Sequence, residues 1–322
     1  MNTLDKKHNP LVSVVIPNYN HAPFLRERID SVINQTYPNL EIIILDDKST
    51  DNSKEIIESY RDNPQISHIV YNEVNSGSTF RQWQKGISLA NGEWIWIAES
   101  DDVAHPDFLA RLMAGCLSDT NVVLAFSALS LIDSNSDSLH ITMQKTYQRK
   151  PINNGKNFIK HNMLFGNHIL NASSAIFRKD AALRIPETFT TFRGAGDYLF
   201  WIEIARQGKI YKDSNVLDYF RQHNLKVTPG CIADGTQFTE THRIYRYLID
   251  QGIVSKRNAH IVAGFWLNRI QHERAKFKDT EIVDQLLRLW SDETFSPTLS
   301  MLFYLINGVA RRIKRNYFGY NI

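Results

Sequence analysis

EWIWIAESDD, residues 93–102, contains a short apolar run that stops on a cluster of acids. Two tryptophans and two isoleucines follow one another without polar alternation. That pattern reads as a strand buried on both faces, because a strand with one wet face alternates. The run ends on Glu99-Ser100-Asp101-Asp102. Carboxylates at the end of a buried strand are costly unless they are hydrated, paired or bound to a cation. The arrangement occurs twice more upstream. Leu11–Ile16 (LVSVVI) is stopped by Pro17 and the turn formers Asn18 and Asn20, and Glu41–Leu45 (EIIIL) breaks at Asp46-Asp47. Three buried strands thus deliver polar ends, and in a parallel sheet ligands bind beyond the carboxyl ends of the strands.

The segments between these strands carry helical spacing. Phe24 to about Gln35 places Leu25, Ile29, Val32 and Ile33 on one face, and Ser53–Tyr60, Phe80–Ala90 and Pro106 to about Leu117 also read as helices. Ile66–Tyr71, Val122–Leu131 and Ser173–Phe177 read as strands, and Ile210–Tyr219 as extended chain running into Phe220-Arg221-Gln222-His223. The expected architecture is α/β: a mostly parallel central sheet flanked by helices, followed by a helical C-terminal region. Strand signals fade near 230–235, so the expected division is a catalytic domain over 1–232 and a helical region over 233–322. Residues 133–138 read as a polar loop, 158–165 as a short helix and 198–206 as a helix stopped by Gly208.

Composition narrows the function classes. A net charge of +3 is too small to argue for nucleic acid, and no basic stripe with interleaved aromatics appears in the first two thirds. Cys116 and Cys231 stand far apart without metal-ligand spacing, which fits two buried thiols in a reducing cytoplasm. The polar opening MNTLDKKHNP reads as neither signal peptide nor anchor, and no apolar run approaches the ~20 residues of a membrane-spanning helix.

The paired acids suit a hard divalent cation, Mg2+ or Mn2+, which keeps waters and shares its shell with phosphate oxygens. Asp51 and Ser53 read instead as helix-start residues. Asp47-Lys48-Ser49-Thr50-Asp51 superficially echoes a calcium loop, but Asn52 stands where that loop needs glycine, and a strand precedes it where a helix is required. No GxxxxGK[ST] loop and no GxGxxG after a strand is present, which disfavours P-loop and dinucleotide enzymes.

Five strings carry a resemblance: VSVVIPNYN (12–20), ILDDKSTDNS (44–53), GEWIWIAESDD (92–102), GDYLFWIEIARQGKI (196–210) and YFRQH (219–223). In this order and spacing, over about residues 11–228, they resemble family 2 glycosyltransferases of the GT-A fold, of the bacterial surface-polysaccharide type. The resemblance implies an inverting enzyme that moves a sugar from a nucleoside diphosphate to an acceptor hydroxyl. Pro17, Asn18, Tyr19 and Asn20 would line the base pocket, where an aromatic can stack. Asp47 would accept from the base N3–H, a role that suits an acceptor-only group and favours UDP- or TDP-sugars over GDP-sugars. Asp101 and Asp102 would hold the ribose and the metal that bridges the diphosphate, with His223 reaching the metal or the diphosphate. Asp197 would be the general base.

Three positions depart from the family's pattern: Glu99 where Asp is common, Gly196 where an acid usually precedes the base, and Trp83-Gln84 where Arg-Asn is frequent. Arg81 and Lys85 are then the candidates to supply charge to the diphosphate.

The chain ends in an apolar helical pattern, Leu299, Leu302, Phe303, Ile306, Val309, Ala310 and Ile313, with Arg311-Arg312-Ile313-Lys314-Arg315 inside it. Residues 297–315 therefore read either as a helix packed on the protein or as a contact with an anionic membrane surface, which would make a cytoplasmic enzyme peripheral to the inner face. A saccharide or lipid-linked saccharide is the acceptor that the resemblance implies. Two other classes are weighed. A nucleotidyltransferase would carry a Gly-rich loop after its first strand, where this chain has Asn18-Tyr19-Asn20-His21. A non-catalytic binding protein on a degenerate transferase fold would not be expected to keep Asp47, Asp101, Asp102 and Asp197 together.

Overall fold

The computed structural model describes residues 9–143, 151–223, 227–291 and 296–318, with side chains of the last helix described as far as Gly308. Ten strands form one sheet: β1 Val12–Asn18, β2 Leu40–Asp46, β3 Ile66–Tyr71, β4 Trp94–Ile97, β5 Val103–Ala104, β6 Val122–Ile132, β7 Ser138–Met143, β8 Ile152–Asn154, β9 Ala175–Arg178 and β10 Lys209–Arg221. Their order is β3-β2-β1-β4-β9-β6-β10-β5, with β7 on β6 and β8 on β10. The chain separates into two compact units. One holds the described residues up to Ile159, Asn167–Phe192 and 196–223; the other holds Lys160–Gly166, Arg193–Ala195 and the described residues from 227 onward.

In the first unit β3, β2, β1 and β4 run parallel, with Asn18 opposite Asp46 and Asp46 opposite Tyr71. The three polar strand ends therefore share one rim. Every residue of β1, β2 and β4 is buried, as their unbroken apolar runs require. β1 extends through Pro17, one step past the expected stop. Its pairing with β4 ends at Val15–Ile97, so the imide nitrogen is missed on only one side. Beyond β4 the sheet is mixed: β9 lies antiparallel between β4 and β6, and β10 runs parallel to β6. Strand β7 forms in the stretch after the polar turn at 133–137, and it is mostly exposed. β5 pairs with β10 at Asp218 and Tyr219, which stitches the turn after β4 to the end of β10.

The helix Ala22–Ile33 begins with proline at its first turn and buries Phe24, Leu25, Arg28, Ile29 and Val32. One of those five is a charged residue lying in the apolar stripe. Cys116 and Cys231 are buried and unpaired.

The second unit is helical: Val227–Ala233, Thr236–Asp250, Lys256–His272, Thr280–Leu289 and Pro297–Phe318. Ser255 and Asp279 cap their helices by accepting from Asn258 N and Ile282 N. Trp266 stacks on Trp290 at 5.6 Å in its core. The last helix seats against Gly264, where a β-carbon would fall 2.3 Å from the Ser300 carbonyl oxygen. No described helix is long and apolar enough to cross a membrane.

Candidate active site

The end of β4 separates two adjacent acids that the sequence leaves equivalent. Asp102 turns inward and is buried. Its Oδ2 accepts from Ser173 Oγ at 2.7 Å and Asn171 Nδ2 at 2.8 Å, and its Oδ1 from Arg221 N at 3.0 Å. The buried Arg28 guanidinium lies 3.8 Å from it. Asn171 Nδ2 also donates to the buried Asp218 at 2.9 Å. Burial and then the Asp102 charge push the Asp218 carboxyl well up, and burial and then Asp101 raise Asp102 as well, against the opposing pull of Arg28, Ser173 and Asn171.

Asp101 faces the other way. Its Oδ2 lies 2.8 Å from His223 Nε2, and its main-chain carbonyl accepts from Arg221 Nε at 2.7 Å. Arg28 Nε in turn donates to the Glu99 carbonyl at 2.8 Å. Two buried guanidiniums, one from the first helix and one from the end of β10, thus grip the 99–102 turn by its backbone. His21, at the start of the first helix, joins this side of the turn through Nδ1, which lies 2.8 Å from Ser100 Oγ. Ligand atoms of His21, Asp101 and His223 all fall within 4.8 Å of one another. Burial pulls the His21 pKa below its ordinary value, against the opposing pull of Asp101, which favours the neutral ring that a cation requires. The donor set of two imidazoles and a carboxylate fits a divalent cation.

Two departures from the family pattern touch each other. Trp83 Nε1 donates to Glu99 Oε1 at 2.8 Å, so the longer acid and the indole are partners. Burial, and then Asp101, raise the Glu99 carboxyl to about 8. The third departure is steric. A β-carbon on Gly196 would lie 2.6 Å from the Phe189 carbonyl oxygen and 2.6 Å from the Phe80 ring. There is no room for an acid before Asp197. Asp197 opens the helix Gly196–Ala205, and its carboxylate is held by Tyr198 N at 2.8 Å and Asn167 Nδ2 at 2.7 Å.

Beyond β2, Asp47 Oδ1 accepts from Asn72 Nδ2, Ser76 N and Gln82 Nε2, whereas Oδ2 accepts from Ser76 Oγ. Four donors thus share the carboxylate, three on Oδ1 and one on Oδ2, so Oδ2 is the less heavily used oxygen. Arg81 and Lys85 belong to this group, reaching Ser76 O at 3.1 Å and Asn72 Oδ1 at 2.6 Å. At the end of β1, Asn18 donates to Asp46 and Ser49, and its own buried Oδ1 has no partner among the described residues. Asn20 adopts a left-handed φ of 55° and accepts from Thr50 N. Tyr19 is 47% exposed on the rim, and Pro17 is buried in β1.

The structure therefore groups Asp101 with His223, and Asp47 with Arg81 and Lys85. It turns Asp102 away from Asp101 into a buried network. His21, Arg28 and Arg221 were not singled out by the sequence reading. The available signals were a charged residue at helical spacing within an apolar stripe, and a histidine directly after a strand-end turn.

The model of the family described as glycosyl transferase family 2 matches residues 13–184. An uncharacterised glycosyltransferase of Rickettsia typhi is 30% identical over 224 residues, 69% of this chain and 67% of that protein. The TuaG protein of Bacillus subtilis, whose description places it in teichuronic acid biosynthesis, is 32% identical over 130 residues, 40% of this chain and 51% of its own length. Among solved structures, S. aureus TarS 1-349 in complex with UDP superposes with a TM-score of 0.63 at 17% identity, covering 95% of this chain and 91% of that one. The mannosyltransferase PcManGT from Pyrobaculum calidifontis, in complex with GDP-Man and Mn2+, gives 0.55 at 17% identity, over 97% and 83%. At these identities the likeness is one of fold. The fold is GT-A-like, a mixed α/β sheet with flanking helices and a helical C-terminal region. The chain belongs to glycosyl transferase family 2, a family of glycosyltransferases.

Proposed function

We propose that this chain is an inverting, metal-dependent glycosyltransferase that moves a sugar from a UDP- or TDP-sugar to a saccharide or lipid-linked saccharide hydroxyl. The observation that carries the reading is the His21-Asp101-His223 group at the end of β4, on the rim that also bears Asp47 and Asn18. Asp47 Oδ2 takes the base N3–H, while Tyr19 offers its face to the base. Asp101 and His223 hold the cation, with Arg81 and Lys85 supplying further positive charge. A bound divalent cation neutralises charge developing on the departing nucleoside diphosphate. Asp197 accepts the acceptor's hydroxyl proton, and Tyr198 N and Asn167 hold its carboxylate in one orientation. Attack from the face opposite the leaving group inverts the anomeric centre through an oxocarbenium-like transition state.

The test is a binding screen of UDP-, TDP- and GDP-sugars with and without Mn2+. Tighter binding of the uracil or thymine donors, strengthened by Mn2+, is expected. Preference for GDP-sugars would remove Asp47 from base recognition. The teichuronic acid description of TuaG supports a place in cell-surface polysaccharide synthesis, and such a setting gives the last helix a use. Leu299, Leu302, Leu305 and Ile306 are all exposed there, 41–58%, although Phe303 stacks on His260 from the opposite side. From Pro297 to the last residue the sequence has four basic residues, Arg311, Arg312, Lys314 and Arg315, and no acid. The side chains of that basic cluster lie outside the described residues.

We assign this face to an anionic lipid surface, with each cation contributing about 1 kcal/mol. The chain is expected to sediment with vesicles containing phosphatidylglycerol and not with pure phosphatidylcholine. Leu302→Asp with Ile306→Asp should abolish that binding. Unchanged sedimentation of the variant would contradict the assignment, as would self-association through this face in place of vesicle binding.

A further inference from the structure

The geometry points to His21 as a protein ligand of the cation, in a two-histidine, one-carboxylate site that selects Mn2+ over Mg2+. The inference rests on the metal-dependent reading above and adds His21 to its Asp101 and His223, while Asp102, expected from the sequence as a ligand, stays out. Asp102 is excluded by its own bonds, since Ser173, Asn171 and Arg221 N occupy its oxygens and the residue is buried. Among the described residues His21 makes one side-chain hydrogen bond, with Ser100. Its Nδ1 faces Ser100 Oγ at 2.8 Å, and an Nδ1–H donated there places the lone pair on Nε2.

Three separate elements supply the three residues. His21 follows β1, Asp101 follows β4 and His223 follows β10. Their ligand atoms nevertheless lie within 4.8 Å of one another, close enough to share one ion after small side-chain adjustment. The surroundings fix each group. The His223 ring packs on Phe24 at 4.9 Å and meets the His21 ring edge-on at 5.5 Å and 83°. Phe24 in turn lies under the Arg221 guanidinium at 4.9 Å, and Arg221 holds the Asp101 carbonyl. The backbone that carries Asp101 is therefore braced before any ion arrives. Asp101 and His223 are largely shielded, with side-chain exposures of 13% and 5%.

The selectivity follows from the donor atoms. Mg2+ prefers an all-oxygen octahedron and dehydrates reluctantly, whereas imidazole nitrogen suits first-row transition ions, of which Mn2+ is the weakest nitrogen binder but still accepts imidazole more readily than Mg2+. Two imidazoles would therefore favour Mn2+ over Mg2+, and the three protein ligands would leave further positions for phosphate oxygens and water. A site built from Asp101 and phosphate oxygens alone would discriminate little between the two ions.

The experiment measures free Mn2+ by electron paramagnetic resonance on the full chain, alone and with UDP, and repeats it with Mg2+ in competition. Wild type, His21→Gln and Asp101→Asn are compared after their thermal midpoints are checked. The expected result is a loss of Mn2+ affinity of about tenfold or more in His21→Gln, with little change in Mg2+ affinity, so that the Mn2+/Mg2+ ratio collapses. Ser100→Ala, which releases the ring without removing it, should show a smaller loss in the same direction and serves if His21→Gln does not fold. An unchanged Mn2+/Mg2+ ratio in the His21 variant, alongside lost binding in Asp101→Asn, would overturn the ligand assignment and leave the metal-dependent reading standing. Absence of Mn2+ binding by wild type with and without UDP would overturn both.

Discussion

Asp197→Asn is expected to lower the rate of sugar transfer by about 10²–10⁴-fold and to leave nucleotide affinity nearly unchanged. The amide keeps the size of the carboxylate and can still accept from Tyr198 N, so the start of the helix Gly196–Ala205 stays formed. The Asn167 bond is lost, because Asn167 Nδ2 would face the new amide nitrogen while its Oδ1 stays held by Ile169 N at 3.0 Å. What the amide cannot do is take a proton from the acceptor hydroxyl. Calorimetry with UDP and initial rates with donor and acceptor separate the two effects. A variant with wild-type transfer would remove Asp197 from the mechanism. Lost nucleotide affinity would place it in donor binding instead. Position 196 cannot supply a second acid, since a β-carbon there would meet Phe189 O and the Phe80 ring.

The second large effect is on stability. Asp102→Ala strips the buried Arg28 guanidinium of its nearest carboxylate and leaves Ser173 Oγ, Asn171 Nδ2 and Arg221 N facing a cavity. Breaking a buried pair from one side costs about 3–5 kcal/mol, a large share of the 5–15 kcal/mol or so that folded domains possess. Asp218 moderates the loss, because its carboxyl also acts on Arg28. The thermal midpoint should fall sharply, and Arg28→Met combined with Asp102→Leu should recover part of it by removing both charges. An unchanged midpoint in Asp102→Ala would mean that the network is not what holds the 99–102 turn. The milder Asp102→Asn should retain Mn2+ binding if Asp101 is the ligand.

The parallel part of the fold was legible because burial on both faces leaves its mark in every strand: LVSVVI, EIIIL and EWIWIA cannot alternate. Strand direction is not a local property, so the antiparallel insertion of β9 between β4 and β6 left no trace in its four residues, AIFR. β7 escaped because it is mostly exposed and follows a run of turn formers. At the site, the acids were legible as types but not as roles. Asp101 and Asp102 are neighbours in a tight turn and point in opposite directions. The partners that capture Asp102 are 69, 71 and 119 residues away in the chain. Arg28 was hidden by its place in an apolar stripe, where a long side chain is ordinarily taken to reach solvent. Glu99 and Trp83 looked like two independent departures until one was seen to donate to the other.

The central claim is that the acids at these strand ends serve metal-assisted transfer of a sugar from a nucleotide. It is tested most directly by following nucleoside diphosphate release from a panel of UDP-, TDP- and GDP-sugars, with Mn2+ and after chelation, in the presence of saccharide acceptors. The account predicts release that requires the divalent cation, vanishes on chelation and is lost in Asp101→Asn. Release at full rate after chelation would contradict the metal's part in it. No release from any donor under any of these conditions would contradict the account as a whole and favour a binding protein on a transferase fold.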